Sequence, residues 1–173
     1  RPTLAPANRP LSNCEGLTSM KPIFSVHAGE YLAGTHIEEN FKHLNVWLPS
    51  KDTGVDLLVT DKTNSRAVSL QVKFSKDFLG SLGNGWWTFN KKKLQASAAD
   101  LWVLVLYRFT KRDYDFIIIE PQELLKRYSQ LGKTQDTIQS YLWVTTSNRC
   151  WETRGLSKQQ QDEVALDQFT NPI

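Results

Sequence analysis

The clearest pattern along the chain is a pair of short, nearly all-apolar runs separated by a polar turn. Asp52 to Asp61 holds Val55, Leu57, Leu58 and Val59, and Ala67 to Phe74 holds Val68, Leu70 and Val72. Asp61-Lys62-Thr63-Asn64-Ser65-Arg66 lies between them. β-branched and apolar runs bounded by turn residues predict a β-hairpin with a mid-length loop. Runs this apolar have both faces covered, so the hairpin belongs inside a sheet. Leu101 to Tyr107 is more apolar still and predicts a buried central strand; Tyr114 to Ile119 predicts another. Asn45 to Pro49 predicts a short strand stopped by proline. Ser140 to Thr145, with alternate polar positions, predicts an edge strand.

Helical signals punctuate these strands. Tyr31, Ile37, Phe41 and Leu44 give an apolar stripe over His27 to Leu44, with Ser25 as its cap. Asn90 caps a helix over Lys91 to Ala99. Pro121 opens one over Gln122 to Gln130 that Gly132 ends. Ser157 and Gln160 make a capping box for a polar helix from Ser157 to Phe169. The order predicts an α/β fold, a three-layer sandwich around a central mixed β-sheet. Residues 1–22, rich in proline, read as a flexible N-terminal arm or leader, and residues 23–173 as a single domain. Ser75 to Gly85, with three glycines, reads as an irregular loop beside the functional face.

Composition narrows the classes. At 173 residues and 40% hydrophobic, the chain can bury a full core. The net charge of +3, from 21 basic and 18 acidic residues, does not require nucleic acid but leaves room for a locally basic face. No apolar run is long enough to cross a membrane, and the first residues lack the apolar centre of a signal peptide. The two cysteines, Cys14 and Cys150, lie far apart and match no zinc spacing. They leave open a reduced, cytoplasmic setting and a single disulfide. No P-loop, GxSxG or HExxH motif is present.

Three polar side chains interrupt the apolar hairpin: Asp56, Gln71 and Lys73. Gln71 and Lys73 alternate to one face, and a turn centred near Thr63-Asn64 puts Asp56 roughly opposite Gln71. A one-residue slip of register would undo this. A carboxylate and an amide oxygen are hard ligands for Mg²⁺, and an ammonium offsets phosphate charge.

A strand with Gly54-Val55-Asp56-Leu57-Leu58-Val59, a turn and then Gln71-Val72-Lys73 resembles the PD-(D/E)xK nuclease superfamily, most closely its Gln-x-Lys branch of Mrr-like restriction enzymes. It also resembles a bacterial domain family with the same signature. The chain departs from the superfamily in carrying Val55 where a proline precedes the aspartate, and Gln71 where a second acid stands. The resemblance implies a restriction-endonuclease-like αβββαβ core with C-terminal additions, a Mg²⁺ (or Mn²⁺) cofactor, and phosphodiester hydrolysis by a bacterial, cytoplasmic endonuclease. DNA is implied ahead of RNA, and a homodimer is one assembly that would cut both strands.

The same resemblance assigns roles. Asp56, the Gln71 side-chain oxygen and the Val72 carbonyl would hold the metal, with Glu30 of the first helix near it. Lys73 would orient water or meet the phosphate. Glu30 reads equally as a solvated acid at a helix N-terminus. Lys76, Lys91, Lys92 and Lys93, with Trp86 and Trp87, are the candidate nucleic-acid contacts. The lysines also read as a solvated helix face, and the tryptophans as an aromatic plug on the core. Two further functions fit the sequence. One is a catalytically inactive nucleic-acid-binding module of this fold; the other is a protein-interaction domain with a Trp-rich surface.

Overall fold

The structure is a computed structural model that describes residues 27–51, 53–76, 84–109 and 111–171. The expected N-terminal arm, the Ser25 cap, Asp52 and most of the glycine-rich loop lie outside these residues. The chain runs α1 (Ala28–Asn40), β1 (Leu44–Trp47), β2 (Leu57–Asp61), β3 (Ala67–Lys76), β4 (Asn84–Asn90), α2 (Lys91–Gln95), β5 (Leu101–Arg108) and β6 (Asp113–Ile119). It continues through α3 (Pro121–Gln130), β7 (Thr137–Val144), β8 (Cys150–Glu152) and α4 (Lys158–Glu163), and ends in a 3₁₀ turn at Asp167–Phe169.

A five-stranded sheet has the order β1-β2-β3-β5-β6, antiparallel throughout except for the β3–β5 pair. The fold is therefore mixed α/β around a mixed central sheet, as the order of elements predicts. The predicted hairpin is β2–β3, and β5 lies between β3 and β6, which accounts for its unbroken apolar run.

Each face of this sheet has its own core. On one face α1 covers Val59, Leu70, Val72, Val103 and Val105, its own Ala33 buried against them. Gly29 brings the first turn of α1 so close that a Cβ there would meet Phe74 Cβ at 3.0 Å and Val72 Cγ1 at 3.1 Å. On the other face Trp102, Leu104, Leu106, Ile117 and Ile119 pack against α3 and a second, three-stranded sheet, β4-β7-β8.

That second sheet is the main departure from the sequence reading. Trp86-Trp87-Thr88-Phe89 lies in strand β4, and β7, expected at an edge, is the middle strand. Trp87 and Phe89 point inward and are buried, while Trp86 and Thr88 point out. The segment after Lys73 is not irregular at once, since β3 continues to Lys76. Helix α1 stops at Asn40 rather than Leu44, because Leu44 already pairs with Asp61 in the sheet. The lysine-rich helix ends at Gln95, and the C-terminal helix is split into α4 and the 3₁₀ turn. Both halves of the predicted Ser157–Gln160 capping box form.

Candidate functional site

The site begins with the β2–β3 turn. Asp61 accepts hydrogen bonds from Thr63 Oγ1 at 2.9 Å, Ser65 N at 2.9 Å and Ser65 Oγ at 2.7 Å. These hold its carboxyl down at about 2, the Ser65 hydroxyl contributing most. Asn64 takes a left-handed conformation, φ 56°, which asparagine tolerates well. This turn fixes the register Leu57↔Leu70, Leu58↔Ser69 and Val59↔Val68. One further step along that register sets Asp56 against Gln71.

β3 outruns β2. Its residues from Gln71 to Lys76 pair with β5 but have no β2 partner, and the approach to Asp56 fills the edge so exposed. Gly54 turns the chain there at φ +84°, a conformation that favours glycine. Asp56 N then donates to Leu70 O at 2.8 Å. The Asp56 carboxylate accepts from Val72 N at 2.6 Å and from Gln71 Nε2. Three of the residues singled out in the sequence therefore meet at one point. Gln71 presents its amide nitrogen to the carboxylate; a cation shared with Asp56 requires that amide to turn over and present its oxygen.

Lys73 follows on the same face as Gln71. Its ammonium sits 5.7 Å from the centre of the Trp102 ring, a cation–π contact, and forms no ion pair with a described residue. Its backbone carbonyl accepts from the buried Trp87 Nε1 at 3.2 Å, so the second sheet is tied to the strand that carries Lys73.

These groups open into a cleft of about 1000 Å³. One wall is formed by residues 48–51 and 53–56, another by α2 and the segment after it, and His27 and Glu30, at the start of α1, also line the cleft. Among the described residues four lysines line it, Lys51, Lys73, Lys92 and Lys93, against two acids, Glu30 and Asp56. Glu30 lines the cleft, where its carboxylate is engaged by His27 Nδ1 at 2.9 Å. Lys92 and Lys93 reach the cleft because Asn90 caps α2, its side chain accepting from Lys93 N at 3.0 Å. Lys91 turns away and donates to Thr134 O at 3.3 Å. Lys76 is exposed at the far end of β3, on the opposite pleat from Lys73, and does not line the cleft.

Of the two candidate tryptophans, Trp87 is 4% exposed and serves as the aromatic plug. It offers no ring face to a ligand. Trp86 is 41% exposed on the outer side of the second sheet. His27, Lys51 and Trp102 are cleft residues that the sequence reading did not pick out. Trp102 was hidden in a uniformly apolar run, and His27 and Lys51 carry no spacing signal.

The donors fit a hard divalent cation in kind, since Asp56, Gln71 and the Val72 carbonyl all offer oxygen. They are sparse in charge: among the described residues no three His, Cys, Asp or Glu side chains gather where they would hold a metal. No protein-family model matches the chain, and searches of curated proteins and of solved structures also return no match.

Proposed function

We propose that the cleft is the active site of a metal-dependent nuclease of the PD-(D/E)xK type, hydrolysing phosphodiester bonds, with DNA as the expected substrate. The observation that carries this reading is the meeting of Asp56 with Gln71 and Val72, with Lys73 on the same face, at the mouth of a lysine-lined cleft. The run of α1, three antiparallel strands, α2 and a strand parallel to β3 supports it, since, with β4 set aside, that order is compatible with the αβββαβ core the resemblance implies.

Each group has a task in that chemistry. Asp56, the Gln71 amide oxygen and the Val72 carbonyl would hold Mg²⁺ or Mn²⁺, which when bound supplies charge to polarise the scissile phosphate. Lys73 places a cation beside the developing charge and positions the attacking water. Lys92 and Lys93 hold the flanking phosphates. Glu30, oriented by His27, accepts a proton or binds water in the cleft.

The test is incubation of plasmid DNA with Mg²⁺ or Mn²⁺. Asp56→Ala and Lys73→Ala are each expected to lower cleavage by about 10²-fold or more while leaving the circular dichroism spectrum unchanged. Wild-type cleavage in either variant would refute the reading. A second reading is a nucleic-acid-binding module without catalysis, favoured by the lack of a three-acid cluster among the described residues and by Gln71 presenting nitrogen to Asp56. DNA binding with no Mg²⁺ affinity by calorimetry and no nicking would select it.

A further inference from the structure

The outward face of the second sheet carries an arrangement that the cleft does not use. Trp86 on β4 stacks on its cross-strand partner Tyr141 on β7, with centroids 5.5 Å apart and planes 11° from parallel. The Arg154 guanidinium lies 3.9 Å from the centre of the Tyr141 ring. Two residues along β7, about 7 Å away, a second tier repeats the pattern. Trp143 stacks on Trp151 of β8 at 6.4 Å and 25°, with the Arg149 guanidinium 5.8 Å from the Trp151 ring.

We infer that this face is a stacking platform for single-stranded nucleic acid. That names the form of substrate the proposed cleft would receive, and so rests on the nuclease reading. Charge argues for the occupant. No outward position of β4, β7 or β8 carries an acid, and the charged groups seated on the rings are guanidiniums. Arg149 is already paired with Asp162 and Asp167, but Arg154 is exposed and forms no ion pair with a described residue. Tyr141 lies between Trp86 and Arg154, so an unpaired base would stack at the exposed Trp86 end of that tier while the guanidinium meets the phosphate chain, whereas the bases of a duplex are closed to such contact. β4, which carries Trp86, leads directly into α2, whose Lys92 and Lys93 form a cleft wall, so one stretch of chain carries parts of both the platform and the cleft.

The test is fluorescence anisotropy with a labelled oligothymidylate, on the full chain, at low salt in EDTA so that no cleavage intervenes. Arg154→Glu, a surface change, and Tyr141→Leu, which keeps the strand apolar, are each expected to weaken binding about tenfold. Affinity for a duplex of the same length should fall less than that for oligothymidylate, and the circular dichroism spectrum should not change. Unaltered oligothymidylate affinity in both variants overturns the inference, even if Asp56→Ala abolishes cleavage and the nuclease reading stands. Conversely, weakened binding in the variants of a chain that cleaves nothing would uphold the platform and remove the nuclease.

Discussion

Asp56 and Gln71 meet as acceptor and donor, and the neutrality of the glutamine makes that contact favourable with no cation between them. Replacing it tests what the pair is for. Gln71→Glu sets two carboxylates against each other, so without divalent metal the variant is expected to lose about 1–3 kcal/mol. Adding Mg²⁺ should restore most of that loss and raise metal affinity above wild type, as read by melting temperature with and without the ion. A variant whose melting ignores Mg²⁺ would place no cation between these residues. Asp56, Gln71 and Lys73 were legible in the sequence because each breaks an otherwise apolar strand. His27 was not, because its relation to Glu30 and the cleft arises only when α1 docks. Trp86 and Trp87 were legible as a pair but not as opposites. Alternation sends neighbouring strand residues to opposite faces, yet it does not say which face is covered until the partner layer is known.

At the scale of elements, the hairpin turn does the positioning. Asp61 has its folded pKa lowered from 3.8 to about 2 by its hydrogen bonds in the turn. Its stabilising contribution is fully present above about pH 4, where the unfolded carboxyl is ionised, and is lost as pH falls through about 2. Asp61→Asn is therefore expected to flatten the acid limb of a urea-denaturation series across that window, and equal acid sensitivity of variant and wild type would count against the assignment. The hairpin was legible because turn chemistry and apolar pattern agree within one short stretch. The sheet partners of β4 and β7 were not, because a strand's neighbours are chosen by contacts distant in sequence. The end of α1 was not legible for a related reason: Leu44 suits a helical stripe and a strand equally, and its pairing with Asp61 decides between them.

Taken as a whole, the molecule places one core on each face of the central sheet, and the mixed α/β class follows from the order of helices and strands. That the outer layer on one side is itself a sheet does not. Cys150 reports on that layer. Burial pushes its thiol up to about 12, so at neutral pH it remains protonated and enclosed. In a Cys14→Ser background Cys150 should resist a disulfide reagent in buffer and react promptly in denaturant. Rapid labelling of the folded protein would mean that the second sheet opens independently of the first. On the opposite side, the missing side chain at Gly29 sets how near helix and strand can stand. A single methyl at that place would wedge the two apart just where Glu30 lines the cleft. Gly29→Ala should cost about 1–3 kcal/mol of stability, and under the proposed nuclease function it should lower cleavage further than so small a loss of folding explains. The reach of an acid into the cleft would then be governed by a residue with no functional group of its own.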